Sequence, residues 1–188
     1  LDDLPYAQSG LMAEGPAEAN IDVWRVHMGR QVGRERLAGG LFISAKTRRP
    51  VHANNDLIVA ELAGAPESRG LIMIHPDYPQ DRVEAYLENP QIAGFKCYHT
   101  FSDHQPTWNA PLSSYLPEWA WRMADERGLI ILLHMVRDRA MADPDNQREI
   151  REACTRYPGA KLILAHAARG FHAPNTIKGV AALRGLEN

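Results

Sequence analysis

Two apolar runs that each end in a histidine constrain the possible folds more than any other feature of this sequence. The run from Leu129 to Leu133 precedes His134, and the run from Leu162 to Ala165 precedes His166. The residues between the two runs have the apolar spacing of a helix, at Ile150, Ala153, Cys154 and Tyr157. A fully apolar run is typical of a strand that is covered on both faces, which favours a parallel sheet. Because the C-terminal ends of parallel strands share one rim, we expect both histidines to face the same cleft.

Strand and helix signals alternate along most of the chain. Strands are predicted to begin at Leu41, Leu71, Ile92, Leu129 and Lys161. Such alternation predicts a parallel α/β fold. A TIM-type (β/α) barrel usually takes about 250 residues, so a chain of 188 residues predicts either an incomplete barrel or a small open sheet. We expect residues 1–40 to form an irregular or helical segment and residues 41–188 to form the partial barrel.

Capping residues and apolar spacing locate the helices. Helices are predicted over residues 22–36, 54–63 and 81–88, between Leu116 and Gly128, from Asp143-Pro144 onwards, and over residues 175–184. Asn54 or Asn55 is expected to cap the second helix, and the last helix is expected to bury Ile177, Val180 and Ala181. The loop over residues 100–114 holds Asp103, His104 and Trp108. Because it is long for a connection in such a fold, we expect it to be functional.

The composition excludes several classes of protein. The 21 basic and 23 acidic residues are well mixed, without the basic patch that is typical of nucleic-acid binding. No apolar run approaches the roughly 20 residues of a membrane span, and the first residues do not form a signal peptide. Two cysteines are too few for a disulfide framework, which favours a reducing compartment. We therefore expect a cytoplasmic protein with a small-molecule substrate and no nucleic-acid or membrane partner, and we leave a homo-oligomer open.

Three motifs occur in an order and at a spacing that carry a family resemblance. They are Gly94-Phe95-Lys96, Ile131-Leu132-Leu133-His134, and Arg156-Tyr157-Pro158 followed by Lys161-Leu162-Ile163-Leu164-Ala165-His166. Together they resemble the amidohydrolase superfamily, in its amidohydrolase-2 branch of metal-dependent barrel enzymes. The resemblance extends over residues 70–188. It implies a TIM-type barrel of which strands two to six are present.

The resemblance also implies a metal site. The family's histidines on strands five and six map onto His134 and His166, which would bind a divalent metal, zinc or else manganese. The family's His-x-His on strand one has no match in this sequence, and its strand-eight aspartate would lie beyond Asn188. We therefore expect strand one before the first predicted strand, and strands seven and eight after Asn188. Where the family often has glycines after the sixth-strand histidine, this sequence has Ala167 and Ala168.

Residues beside these histidines complete the candidate site. Neutral imidazole is a good zinc ligand, and zinc lowers the pKa of a bound water to about 7. Catalytic roles are predicted for Lys96, His99 and His166, and substrate binding is predicted for Tyr98, Arg137 and Arg169. Guanidinium groups at such a rim suit a substrate that bears a carboxylate. The plainer interpretations are a core histidine bonded to a carbonyl, a solvated loop arginine and, for Lys96, a buried ion pair.

Two further arrangements involve the same strand ends. Period-two alternation places Lys96 and Tyr98 on one face of their strand and Cys97 and His99 on the other. Both pairs share the cleft only if the strand end bulges or turns. Cys97 and His99 also allow a thiolate–imidazole pair. His75 ends a strand as well, although His75-Pro76 equally fits a turn.

These observations predict a metal-dependent hydrolase that acts on a small carboxylated molecule through metal-activated water. A decarboxylase or related lyase of the same branch is the first alternative, because the branch contains both reactions. A non-catalytic α/β protein, whose histidines are structural or bind a ligand without turnover, is the second. No G-x-S-x-G, G-x-x-x-x-G-K-S/T, G-x-G-x-x-G or H-E-x-x-H motif occurs, which disfavours nucleophile-elbow, P-loop, Rossmann and zincin chemistry.

Overall fold

The computed structural model describes residues 15–16, 18–169 and 172–188, which contain five β-strands and six α-helices of eight residues or more. The strands are β1 (Leu41–Ile43), β2 (Arg69–Met73), β3 (Ile92–Lys96), β4 (Ile130–Leu133) and β5 (Lys161–Leu164). The helices are α1 (Ile21–Val32), α2 (Val51–Leu62), α3 (Gln80–Leu87), α4 (Glu118–Arg127), α5 (Pro144–Arg156) and α6 (Ala173–Ala182). In these described ranges, no helix is both long enough and apolar enough to cross a membrane.

The five strands lie in chain order in one sheet, β1-β2-β3-β4-β5. β1 pairs with β2, β3 with β4, and β4 with β5, and each of these pairs is parallel. A helix follows each of the first four strands, because parallel strands need a long crossover connection. This is the order of strands and helices in an incomplete TIM barrel, so the predicted fold class is confirmed.

The chain divides into two compact units. The first comprises the described residues up to Met73 together with Ala85–Ala93, and the second comprises Ile74–Glu84 with the described residues from Gly94 to Asn188. Large side chains that are fully buried in the first unit are Leu62, Leu71, Ile72 and Met73. Those in the second unit are Ile74, Phe95, Tyr115, Leu116, Ile131, Leu133, Met135 and Met141. The division predicted at residue 40 stays a prediction.

Two helix ends follow the predicted capping chemistry. The side chain of Asp143 accepts hydrogen bonds from the amides of Asp145 at 3.0 Å and Asn146 at 3.5 Å. Pro144 is the first residue of α5, where its missing N–H leaves no donor unpaired. Gly128 ends α4 in the left-handed conformation, with φ +64°. Both signals are local, which is why the sequence alone could place them.

The predicted cap of α2 is wrong. The helix begins at Val51, so Asn54 and Asn55 lie inside it, and both side chains are buried. Asn55 Nδ2 donates to the carbonyl oxygen of Met73 at 2.9 Å, and Asn55 Oδ1 accepts from the amide of Met73 at 2.8 Å. The pairing of β1 with β2 ends at Leu71. The carboxamide of Asn55 therefore takes the place of a strand partner beyond the end of β1.

The face of α6 that was predicted to be buried is exposed. Ile177 is 69% exposed and Val180 is 57% exposed, and Ala181 is exposed as well. Gly179 is the residue of α6 that packs inward, where a Cβ atom would lie 2.3 Å from the Cβ of Met141. Because glycine allows two segments to approach closely, the missing side chain at Gly179 determines which face packs.

Candidate active site

His134 follows β4 directly and is half-buried at the C-terminal end of that strand. Burial is the largest of the causes that lower the pKa of His134 to about 4. The charges of Lys96, His166, Arg169 and His99 lower it further. The imidazole of His134 is therefore neutral at pH 7, which is the form that binds a metal ion or accepts a proton.

His166 lies in a left-handed segment that follows β5. Four consecutive residues have positive φ angles, which are +56° for His166, +50° for Ala167, +57° for Ala168 and +57° for Arg169. This conformation costs a residue with a Cβ atom about 1–2 kcal/mol, and glycine avoids the cost. The glycines that the family resemblance implies at Ala167 and Ala168 would therefore suit this backbone.

The histidines that follow β3, β4 and β5 lie side by side. The ring centroids of His134 and His166 are 5.0 Å apart, with an interplanar angle of 74°. The ring centroids of His99 and His134 are 6.3 Å apart, with an angle of 34°. The structure thus brings together His134 and His166, which were predicted to bind metal, and His99, which like His166 was predicted to be catalytic. The roles themselves stay predictions.

His99 joins this cluster because β3 ends at Lys96 and the chain then turns. A 3₁₀ turn over His99–Phe101 breaks the period-two alternation of the strand. His99 Nδ1 lies 3.1 Å from both the carbonyl oxygen and the Oγ1 of Thr107. Because a carbonyl oxygen can only accept, Nδ1 carries the proton of the neutral ring and Nε2 carries the lone pair.

Lys96, the last residue of β3, is only 3% exposed. Within the described part of the chain, its Nζ has no hydrogen-bond partner. The Nζ stands 4.6 Å from the ring centroid of the half-buried Tyr98, in a cation–π contact. Burial lowers the pKa of Lys96. The buried ion pair that the sequence allowed for Lys96 is therefore not seen among the described residues.

Arg169 lies across the face of Trp108, with its Cζ 4.0 Å from the ring centroid. Arg169 Nη1 lies 3.5 Å from the carbonyl oxygens of Met135 and Arg137. Trp108 also meets His99 edge to face, with ring centroids 5.8 Å apart. Trp108 therefore links the long loop to the cluster. The sequence pointed to the loop by its length, but it did not give Trp108 this role.

Arg137 is held by carboxylates near the start of α5. Its guanidinium lies 3.1 Å from Asp143, 3.5 Å from Asp145 and 3.5 Å from Glu149. These contacts fasten the segment after β4 to the helix that follows it. The predicted substrate-binding roles of Arg137 and Arg169 stay predictions.

Cys97 and His75 have surroundings that suit packing. Cys97 is fully buried, and burial raises the pKa of its thiol to about 11. The thiol is therefore protonated at neutral pH, so Cys97 does not form the thiolate–imidazole pair with His99 that the sequence allowed. The ring of His75 packs against Tyr78 and Phe101, with centroids 5.2 and 5.3 Å away.

His134 and His166 offer two imidazole nitrogens to a metal ion. A catalytic zinc site takes three protein ligands and one water. Among the described residues, no group of three or more histidine, cysteine, aspartate or glutamate side chains is placed to hold a metal. His134 is half-buried and His166 is exposed. The pair therefore fits a metal as part of a ligand set, and a complete site would need at least one more protein ligand.

The structure has parallel strands with helical crossovers, and histidines follow three successive strands. This arrangement is typical of barrel enzymes, whose active sites lie at the C-terminal ends of the strands. The profile of the family described as Amidohydrolase matches residues 11–186, and the chain belongs to this family. No curated protein and no solved structure matches the chain. Membership confirms the recognition from the three motifs, and it indicates an enzyme of the metal-dependent hydrolase or decarboxylase type.

Proposed function

We propose that this protein is a metal-dependent hydrolase that acts on a small carboxylated molecule. The observation that carries the proposal is the cluster of His99, His134 and His166 at three successive strand ends. His134 and His166 would hold a divalent cation, zinc or manganese, as two of its ligands. When bound, that cation would supply Lewis-acid chemistry and lower the pKa of a water molecule.

The cations around the cluster support a substrate that carries a carboxylate. Arg169 is stacked on Trp108. After burial, the positive charge of Arg169 is one of the causes that lower the pKa of His134, so the two side chains interact electrostatically. A guanidinium group can bind a carboxylate through two parallel hydrogen bonds. Lys96 adds a second cationic group, whose burial strengthens any electrostatic interaction that it makes.

Proton transfer is assigned to His99. Its Nδ1 is bound to Thr107, so its Nε2 has the lone pair that can take a proton from water. The same nitrogen can then return the proton to a leaving group. His166, which was predicted both as a ligand and as a catalytic residue, is assigned here to the metal.

Zinc binding by the whole chain tests the proposed ligands. We expect His134→Ala and His166→Ala each to weaken zinc uptake at least tenfold in equilibrium dialysis, because each variant removes one of the imidazole ligands. His52→Ala, which changes an exposed histidine of α2, serves as the matched control. If the unaltered chain takes up neither zinc nor manganese, the non-catalytic binding protein becomes the better interpretation.

Product analysis distinguishes hydrolysis from decarboxylation. A panel of small carboxylated amides, esters and lactones should give ring-opened or cleaved products without release of CO₂. Arg169→Met should raise KM for these substrates more than it lowers kcat, because it removes a group that binds the carboxylate. Release of CO₂ from aromatic or unsaturated acids, with no hydrolysis, would show that the decarboxylase alternative is correct.

A further inference from the structure

We propose that Trp108 is a positioning residue that orders the guanidinium group of Arg169 for the carboxylate of a ligand, and that Asp138 competes with this carboxylate. The inference rests on the proposed function for the class of ligand. It adds Trp108 and Asp138, to which the proposed function gives no role. All three residues belong to the second compact unit. Trp108 and Arg169 are partly exposed and Asp138 is exposed, so none of the three is closed off from solvent.

Two hydrogen bonds fix Trp108 to the segment that follows β4. The indole Nε1–H donates to Asp138 Oδ1 at 3.1 Å. The carbonyl oxygen of Trp108 accepts from the amide of Arg137 at 2.9 Å. Because one bond holds the ring and the other holds the backbone, both the position and the orientation of the indole are restrained. The indole therefore offers a fixed aromatic face to its neighbours.

Arg169 lies on this face, with its Cζ 4.0 Å from the ring centroid. An arginine side chain has many rotamers, and ordering them when a ligand binds costs free energy. Stacking on a fixed ring limits this freedom before the ligand arrives. The ring covers the face of the guanidinium, whereas a carboxylate binds to N–H groups in the guanidinium plane. Trp108 can therefore order Arg169 without taking the place of the ligand.

The stack of Arg169 on Trp108 lies beside the histidine cluster. The rings of Trp108 and His99 meet edge to face, with centroids 5.8 Å apart. The ring centroid of His99 in turn lies 6.3 Å from that of His134. A carboxylate bound to Arg169 would therefore place the rest of a small molecule near the histidines to which the chemistry is assigned.

Asp138 brings a negative charge to the same guanidinium. The indole has Asp138 at its edge and Arg169 on its face, so the two charges lie near each other. Burial lowers the pKa of Arg169, and the charge of Asp138 raises it. A carboxylate ligand gains the attraction of Arg169 but meets the like charge of Asp138. Neutralising Asp138 should therefore strengthen carboxylate binding, whereas a purely structural role would predict weaker or unchanged binding.

Binding of benzoate to the whole chain tests the proposal without turnover, by NMR titration at the side-chain N–H groups of Arg169 and Trp108. We expect saturable binding that Arg169→Met weakens about tenfold or more. Trp108→Leu should weaken it about three- to fivefold, as expected for loss of a cation–π contact. Trp108→Phe keeps an aromatic face and should weaken it less. Trp24→Leu, at a partly exposed tryptophan of α1, is the matched control.

Asp138→Asn provides a second variant at an exposed position, where folding should be unaffected. Asparagine keeps an acceptor for the indole N–H but removes the negative charge. This variant should tighten benzoate binding about threefold and leave the binding of benzamide, which is uncharged, unchanged. The proposal is overturned if the unaltered chain shows no saturable benzoate binding. It is also overturned if folded Trp108→Leu binds benzoate normally, or if Asp138→Asn does not bind it more tightly.

Kinetics separate failure of this inference from failure of the proposed function. With a substrate that the chain hydrolyses, Trp108→Leu should raise KM by about the same three- to fivefold factor and change kcat less. Metal-dependent hydrolysis with an unchanged KM in Trp108→Leu overturns the positioning role alone. Benzoate binding that responds to all three residues as expected, in a chain that hydrolyses nothing, supports the positioning role and rejects the proposed hydrolase.

Discussion

Replacing Asn55 with alanine should destabilise the protein strongly, because this side chain completes the hydrogen bonding of β2. Both backbone groups of Met73 are bound to Asn55, at 2.8 and 2.9 Å, and both residues are fully buried. The substitution removes two hydrogen bonds and leaves a buried N–H and a buried C=O without partners. We expect the free energy of unfolding to fall by about 2–4 kcal/mol. The midpoint of thermal unfolding should fall by about 6–12 °C for a chain of this size.

Urea unfolding followed by circular dichroism measures this loss, and two substitutions at the same position identify its cause. Asn55→Leu refills the volume without restoring either hydrogen bond, so it should be nearly as unstable as Asn55→Ala. Asn55→Asp retains an acceptor for the Met73 amide but places a carboxylate oxygen opposite the Met73 carbonyl. Asn109→Ala, at an exposed asparagine, is the control and should change stability by less than about 0.5 kcal/mol.

The aspartate variant separates this role from the helix cap that the sequence had favoured. Aspartate caps a helix as well as asparagine does, so a capping residue would tolerate Asn55→Asp. Aspartate lacks the donor that the Met73 carbonyl requires. If Asn55 replaces a strand partner, Asn55→Asp should therefore destabilise the protein. If Asn55→Asp or Asn55→Leu is as stable as the unaltered chain, the explanation by paired hydrogen bonds is wrong.

Acid should weaken the fold through His134. Its pKa is about 4 in the folded chain, against an ordinary value of 6.5, so the unfolded chain binds more protons between these values. The free energy of unfolding should therefore fall from pH 6.5 to pH 4, by about 1–2 kcal/mol for a half-exposed ring, and His134→Asn should flatten this dependence in urea melts. Gly94→Ala should cost about 3 kcal/mol or more, because its Cβ would lie 1.9 Å from the carbonyl oxygen of Ile130. Gly185→Ala, where φ is +84° but nothing lies within 4 Å, should cost only about 1 kcal/mol, and equal losses would contradict the clash at Gly94. Ala167→Gly should raise the free energy of unfolding by about 0.5–1 kcal/mol, because φ is +50° there, and a lower urea midpoint would contradict the left-handed turn.

The sequence predicted the strands well because their signal is local. Each observed strand begins within two residues of its predicted start, from Leu41 to Lys161. Local sequence is enough to predict the apolar runs, the Asp143-Pro144 cap and the helix end at Gly128. The structure also explains the glycine of the Gly94-Phe95-Lys96 motif. Gly94 has φ +152°, and the backbone of Ile130 on the neighbouring strand leaves no room for a side chain.

What the sequence could not predict depends on residues that are distant in the chain. Asn55 looked like a cap because only the fold reveals the unpaired end of β2. The ion pair between Arg137 and Glu149 could not be predicted, because the packing of α5 brings Glu149 to the guanidinium. Ile177 looked buried because its spacing is apolar, although Gly179 decides the packing of α6. In each case a tertiary contact overrides a local pattern.

The charges around His134 link the metal and the substrate in the proposed site. All four charged groups that lower its pKa are cationic or become so on protonation, namely Lys96, His166, Arg169 and His99. Together with burial, which is the larger cause, they keep His134 neutral and able to act as a ligand, but they also oppose the binding of a metal cation. A carboxylate on the substrate would offset this repulsion. If the proposed function is correct, metal and anionic substrate should therefore bind more tightly together than either does alone.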